Sequence, residues 1–424
     1  MRLAFALVAG RLAGRITRLF GRGGSAVPGL VAERLYRRTI ERLVASIEGG
    51  VVLVTGTNGK TTTTKLLVSA LEADGRTVIT NPSGSNLERG IASALVAGAS
   101  ARGRISADIA VFEVDEAAIR RLAPRVKPRL VVVTNLARDQ LDRFGELDTT
   151  AGHLSAALVH AAGTLLNADD PKVRGLAGVT ATYFGAAPGI RTLMPADDEL
   201  HGSGETSPHG RELSVCVAEV TTGATAQTVR LDTGADSHSV TLQVPGVYNA
   251  YNAAAALAAA LHLGVAATVA LGAFAAMTPP FGRGQVIGHK GRRFVVVLVK
   301  NPAGFNQAIR LLRQRTEPTA VAIAINDNIA DGRDVSWLWD VKVEELAETP
   351  HRFGTSGIRA TDMALRLKYA GVAAWAETDL REAVERLIAD SATGDTVYVV
   401  PTYTAMLTLL EILLPGVPRH EVWT

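Results

Sequence analysis

Short apolar runs alternate with amphipathic stretches along most of the chain, and this rhythm predicts its class. Val51–Val54 is an unbroken apolar run that leads into a glycine-bearing turn and a helical pattern over Thr61–Ala73. Strand-like segments recur at Thr77–Thr80, Ile109–Val114, Leu130–Thr134 and Thr164–Asn167, with helical segments between them. Strands without a polar face, spaced by helices, predict an α/β fold with a parallel sheet covered on both sides. A helical pattern over Leu30–Ile47 precedes the first strand and ends at Gly49-Gly50.

The rhythm fails between Pro188 and Gln243, where Gly, Ser, Thr and Asp are frequent and Leu213–Val220 alternates. A small β insertion or irregular excursion is expected there. The α/β pattern resumes near Arg292. Strands are expected at Phe294–Val299, Ala320–Ile325, Val372–Trp375 and Thr396–Val400. Helices are expected at Phe305–Arg313, Thr361–Tyr369, Leu380–Ala389 and the C-terminus, the third opened by an Asp379/Glu382 capping box. The expected organisation is an N-terminal helical segment (1–45), a central α/β domain with a parallel sheet (46–284) and a C-terminal Rossmann-like α/β domain (285–424).

Length agrees with more than one core, since 424 residues exceed what a single one supports. A net charge of only +3 gives no support to a nucleic-acid reader. The single cysteine, Cys216, excludes an internal disulfide and a multi-cysteine zinc site, so no zinc is expected, and it fits a reducing cytosol. Cys216 lies in an alternating strand pattern with no histidine near it in sequence, the setting of an inert, partly buried thiol rather than a nucleophile.

Met1–Phe20 is apolar but interrupted by Arg11, Arg15 and Arg18, unlike a secretory signal. No apolar run reaches the roughly 18 residues that would span a bilayer. Two readings stay open: an ordinary packed helix, or a basic amphipathic helix touching the inner face of an anionic membrane.

The strongest chemical signal is Gly56-Thr57-Asn58-Gly59-Lys60-Thr61-Thr62, set between a strand and a helix. Backbone amides of such a turn, with a helix N-terminus behind them, form a nest for phosphate oxygens. Lys60 would neutralise the outer phosphates of ATP and the Thr61 hydroxyl would ligate Mg²⁺.

This loop, shorter than the usual Walker form, resembles that of Mur ligases and folylpolyglutamate synthases. Five further segments extend the likeness to Mur ligases. They are Glu113 after a strand, Thr134-Asn135 through Asp139-Gln140-Leu141-Asp142, Asn167–Pro171, Gly246 with Asn249 and Asn252, and Gly282-Arg283. The resemblance implies nucleotide contacts for Asn249, Asn252 and Arg283 and a Mg²⁺ role for Glu113. Each also has a plain alternative. Asn249 and Asn252 could cap or turn, Arg283 could be a surface charge, Glu113 could form an ordinary ion pair, and Asp139 and Asp142 could cap a helix.

Gln140 stands where amino-acid-adding Mur ligases carry a metal-binding histidine, and Val297–Pro302 lacks their aspartate and histidine. These departures weaken the reading as an amino-acid-adding Mur ligase or a folylpolyglutamate synthase-like enzyme. They resemble instead the MurT branch, as do Asp139–Gly145, Lys300–Asn306, Asn326–Asp340, Arg359–Gly371 and Pro401–Leu407. That resemblance implies a Mur ligase-type central P-loop ATPase domain and amidation of the D-glutamate α-carboxylate of lipid II through an acyl phosphate. It also implies a GatD-like glutaminase partner that supplies ammonia, with an aspartate of this chain completing the partner's triad. Asp334 is the expected one, with Asp331 and Asp340 as alternatives. Trp337 and Trp339, two residues apart, are expected on one side of an extended segment, as core or as partner anchors. A non-catalytic nucleotide-binding scaffold is the remaining alternative, and the presence of Lys60, Glu113 and Arg283 argues against it.

Overall fold

The computed structural model describes residues 2–19, 26–81, 85–137, 147–176, 180–191, 210–223, 226–234, 236–278 and 282–416, without the side chains of Arg18, Leu19 and Arg283. Two sheets organise it. The first has nine strands in the order β2-β3-β1-β4-β5-β6-β7-β8-β9, and the second has six in the order β10-β11-β15-β12-β13-β14.

In the first sheet β1 (Val51–Thr55) lies between β3 (Ile109–Glu113) and β4 (Leu130–Val133), parallel to both. β2 (Val78–Thr80) flanks β3, while β5 (Thr164–Asn167) and β6 (Thr182–Ala186) extend the other side, all parallel. The chain leaves β1 toward β2 and leaves β4 toward β5. Their carboxyl ends therefore open a crevice where the winding direction reverses, the place where parallel sheets receive ligands.

The Gly/Ser/Thr-rich stretch is a β extension. β7 (Val215–Thr222), β8 (Gln227–Thr233) and β9 (Asp236–Leu242) run antiparallel to one another and join the sheet edge at β6. Alternation explains this: Val215, Val217, Val229, Leu231, Val240 and Leu242 face one core, while polar neighbours face out. Two helices, Val247–His262 and Ala267–Ala276, cover that side of the sheet together with α4 (Lys60–Ala73).

The opposite side of the sheet is covered by α1 (Arg2–Leu19), α2 (Val27–Leu35) and α3 (Thr39–Val44) with the helices Glu88–Gly98 and Ile119–Val126. The N-terminal helices thus share a core with Leu53, Phe112 and Val131 of the central strands. The helix expected over Leu30–Ile47 is two helices, because Tyr36 leaves the first in an extended conformation and the Thr39 hydroxyl donates to the Tyr36 carbonyl across the break. α1 and α2 approach closely: a Cβ at Gly10 would lie 2.6 Å from the Pro28 carbonyl oxygen, and one at Gly14 equally near the Pro28 ring.

The second sheet begins with a hairpin, β10 (Arg283–His289) and β11 (Arg292–Val297), and continues with parallel strands β12 (Ala320–Ala324), β13 (Arg352–Ser356), β14 (Ala374–Glu377) and β15 (Thr396–Pro401). Helices Pro302–Arg313, Ala360–Tyr369, Leu380–Ala389 and Tyr403–Leu413 cover it. Asp379 caps the third of these, its carboxylate accepting from the Arg381 and Glu382 amides.

Candidate active site

The glycine loop occupies the crevice end of β1. Gly56 has φ +124° and Gly59 φ +87°, both in the region that favours glycine. Side chains have no room either. A Cβ at Gly56 would lie 2.3 Å from Thr134 Oγ1, and one at Gly59 would lie 2.1 Å from Asn252 Oδ1. The loop is therefore clamped between the segment after β4 and the alanine-rich helix.

Hydrogen bonds hold the first jaw of this clamp. Thr57 N donates to Asn135 O (2.9 Å), Asn58 N to Asn135 Oδ1 (2.9 Å), and both Asn135 Nδ2 and Thr134 Oγ1 donate to Asn58 O. The Thr134 carbonyl accepts in turn from Asn167 Nδ2, and the Leu136 amide donates to Asp170. Asp169 accepts from Tyr251 Oη at 2.8 Å and from the Ala186 amide. Burial, then the Asp169 charge, raises the Tyr251 phenol well above its ordinary range, so it remains a neutral donor. The Asn167–Pro171 turn thus braces the loop.

On the second jaw, Asn252 Nδ2 donates to Asn249 Oδ1 (3.1 Å), and Asn249 Nδ2 donates to Pro245 O (2.8 Å). Both asparagines are buried, and these amide groups are engaged by protein. The second sheet also reaches the loop: Asn301, which caps the helix Pro302–Arg313, donates through Nδ2 to Asn58 Oδ1 at 3.2 Å.

Lys60 is buried, and its amine donates to the Gly56 and Thr57 carbonyls and to Glu116 Oε2 at 3.1 Å. Glu113 ends β3, with its backbone fixed by Asn81, whose carboxamide accepts from the Glu113 amide and donates to its carbonyl. The residue is only 6% exposed, and its carboxylate bonds to no described residue. Such an acid is costly to bury alone and suits a cation. Thr61 and Thr62 open α4, where first-turn amides have no intrahelical partner. Asn81 and Glu116 were not among the expected site residues. Asn81 had no motif around it, whereas Glu116, three residues after Glu113 in Glu-Val-Asp-Glu, could have been suspected from the charge density alone.

Not every expected residue can be placed. Asp139, Gln140 and Asp142 lie outside the described residues, as does the Arg283 side chain, whose backbone opens β10.

The three aspartates of the C-terminal region differ sharply. Asp331 is buried, and its carboxylate accepts from the Thr404 amide, the Thr404 hydroxyl and the Asn328 amide. Asp334 is exposed and, among the described residues, accepts from Ser336, which lowers its pKa below the usual carboxylate range. Asp340 is exposed as well. The segment Ser336–Asp340 is a 3₁₀ helix, so the expectation that Trp337 and Trp339 share a side of an extended strand is corrected. Trp337 packs edge-on against Phe305 in the core, whereas Trp339 is exposed beside Tyr369 with the Arg366 guanidinium over its ring.

Residues 54–260 match the Mur ligase middle domain, and residues 298–406 match the MurT ligase C-terminal domain. The subunit MurT of lipid II isoglutaminyl synthase (glutamine-hydrolyzing) from Streptococcus pneumoniae is 31% identical, with 97% of each chain covered. The chain belongs to the MurT family. The Staphylococcus aureus (strain N315) MurT is 30% identical over 97% of this chain and 98% of that one. Among solved structures, MurF from Acinetobacter baumannii superimposes with a TM-score of 0.69 at 20% identity, covering 90% of this chain and 80% of that one. MurF from Thermotoga maritima in complex with ADP gives 0.68 at 18%, covering 91% and 83%. At such identities these two structures show the Mur ligase fold alone, and MurT membership rests on the full-length relatives.

Proposed function

We propose that this chain is the synthase subunit of a lipid II isoglutaminyl synthase. It spends ATP to convert the α-carboxylate of D-glutamate in the lipid II stem peptide into an amide, giving D-isoglutamine. The observation that carries this reading is the clamped glycine loop. Lys60 and Glu113 lie at the same crevice, in a chain that matches a MurT subunit over 97% of its length.

A carboxylate is a poor electrophile. Transfer of the terminal phosphoryl group of ATP to its oxygen gives an acyl phosphate and ADP. Ammonia then attacks the acyl carbon, the bond to the phosphate oxygen breaks, phosphate departs and nitrogen loses a proton. The protein's share of phosphoryl transfer is positioning and charge neutralisation. The loop amides receive phosphate oxygens, Lys60 moves from Glu116 to the outer phosphates, and Arg283 adds a second positive charge for the same group. Thr61 and Glu113 would hold Mg²⁺, which would neutralise charge on the phosphates. Asn249 and Asn252 act by fixing the loop.

At neutral pH free ammonia is almost wholly protonated, so a glutaminase subunit of the GatD type supplies it. Asp334 is the residue that meets that subunit's histidine. It is exposed, ionised and lightly engaged, whereas Asp331 is consumed by Thr404 and Asn328.

The test is direct. The chain is incubated with its glutaminase, ATP, Mg²⁺, glutamine and lipid II, and the product is read by mass spectrometry. Replacement of a hydroxyl by an amino group supports the proposal. Addition of a whole amino acid, or unchanged lipid II despite nucleotide binding, overturns it.

A further inference from the structure

The face of α1 turned away from the protein is apolar where solvent-facing helices are polar. Phe5, Val8, Leu12 and Ile16 are 66, 59, 56 and 46% exposed. At roughly 100° per residue these four fall within an arc of about 80°, a single stripe along the helix. The buried face is accounted for: Ala6 and Leu7 enter the sheet core, and Gly10 and Gly14 seat against Pro28 of α2.

Arginine borders the stripe. On the same helical projection exposed Arg2 falls on one flank and exposed Arg15 on the other. α2 and its exit, packed beside α1, add exposed Arg34, Arg37 and Arg38 around the half-exposed Leu35. The imbalance is large. Residues 1–47 hold nine arginines against two glutamates, a net of +7 in a chain whose total is +3. Both glutamates, Glu33 and Glu41, pair with Arg125, a further cation outside this segment. Arg11 of α1 turns inward onto the Val96 and Ala99 carbonyls.

We propose that α1 is a membrane-docking helix that lies flat on an anionic phospholipid surface. The Phe5-Val8-Leu12-Ile16 stripe enters the acyl boundary, and the flanking arginines meet phosphate headgroups. The combination selects this occupant. A protein partner would favour an apolar patch with a mixed polar rim, whereas a stripe bordered by one sign of charge matches the interfacial helices of peripheral proteins. Anchoring is reversible, because a few exposed apolar side chains and a handful of surface arginines give modest affinity. α1 packs into the core that also contains β1, so docking fixes the height and tilt of the glycine loop over the surface.

The full-length protein is mixed with phosphatidylcholine vesicles, with or without one-third phosphatidylglycerol, and separated by flotation. Binding is expected to the anionic vesicles alone and to weaken with salt. Leu12→Glu should abolish it, and the pair Arg2→Glu with Arg15→Glu should weaken it on the order of tenfold or more. Thermal melting and ATP binding of these variants should be unchanged. Should Leu12→Glu fail to fold, an environment-sensitive dye on Val8→Cys, in a Cys216→Ser background, reports insertion by a blue shift with anionic vesicles only. Equal partition onto neutral vesicles, no partition of the parent protein, or a dimer that Leu12→Glu dissociates would each overturn the proposal.

Discussion

Lys60 Nζ lies 3.1 Å from Glu116 Oε2, and both side chains are buried. The amine is thus satisfied before any phosphate arrives. ATP must compete with Glu116 for it, and a buried ammonium deprived of its carboxylate is costly. Glu116→Gln should lower the melting temperature of the free protein, and ATP should then raise it by more than in the parent protein. The comparison is a melting curve with and without nucleotide. Equal nucleotide-induced shifts would show that Lys60 and Glu116 stay paired when ATP is bound. Lys60→Ala is expected to abolish amidation even when free ammonia replaces glutamine.

The Gly59–Asn252 contact makes a second prediction. Gly59→Ala places a Cβ 2.1 Å from Asn252 Oδ1 at a φ of +87°. The left-handed backbone alone costs roughly 1–2 kcal/mol for a residue other than glycine. Relief of the clash by loop displacement should weaken ATP binding by about tenfold or more. Adding Asn252→Ala should recover part of that loss, because it removes the clash and leaves the backbone strain. Calorimetric titration of both variants is the check. No recovery in the double variant would mean that strain, and not the clamp, sets the loop.

Much of this architecture is legible in the sequence because burial on both faces writes unbroken apolar runs. Val51–Val54 and Leu130–Val133 are examples, and the loop between β1 and α4 is marked instead by its glycines. The missed strands lack that signature. β13 carries Gly354, where a Cβ would lie 2.1 Å from the Trp375 ring, and β10 holds Gly284 and Gly288, so neither reads as a strand. The clamp was half legible. Asn249 and Asn252 stood out as polar residues before an alanine-rich helix, but their bonds run to Pro245 and to each other, which spacing along the chain does not encode. Glu116 was legible only as one acid in a dense cluster, since its partner Lys60 lies 56 positions earlier.

Exposure separates Asp334 from Asp331 in a way that activity assays read. Asp334→Asn should spare amidation driven by ammonium salts and abolish only the glutamine-driven reaction. Asp331→Asn should destabilise the C-terminal region and impair both, because it strips acceptors from Thr404 and Asn328. The pKa of Asp334 is depressed by its bonds to Ser336, so it remains ionised until the pH falls below the usual carboxylate range. The glutamine-driven rate should therefore show no acid limb from this residue between about pH 5 and 7. Equal loss of both reactions in Asp334→Asn would remove it from the role assigned here.

Cys216 should behave as an inert thiol. Burial first, then the charges of Asp232 and Asp169, raise its pKa above the ordinary value, so little thiolate forms near neutrality. Alkylation by iodoacetamide at pH 7.5 should be slower than for a model thiol, and Cys216→Ser should retain amidation. Rapid labelling with parallel loss of activity would contradict this assignment.

Arg125 ties the N-terminal helices to the central unit. Its guanidinium pairs with Glu33 at 2.6 Å, Glu41 at 3.0 Å and Glu88, drawing three helices onto the helix Ile119–Val126. Burial works against its charge, but the carboxylates outweigh it and raise its pKa. Burial raises the Glu33 pKa despite the pairing, whereas Arg125 holds Glu41 below its usual value. Arg125→Ala would leave three neighbouring acids repelling one another. Discounted for partial exposure, the loss should be about 1–3 kcal/mol. Protonation relieves part of that repulsion, so the deficit of the variant should shrink as the pH is lowered through the carboxylate range. Urea unfolding of both proteins at several pH values measures it, and a deficit independent of pH would mean that the arginine contributes by packing rather than by charge.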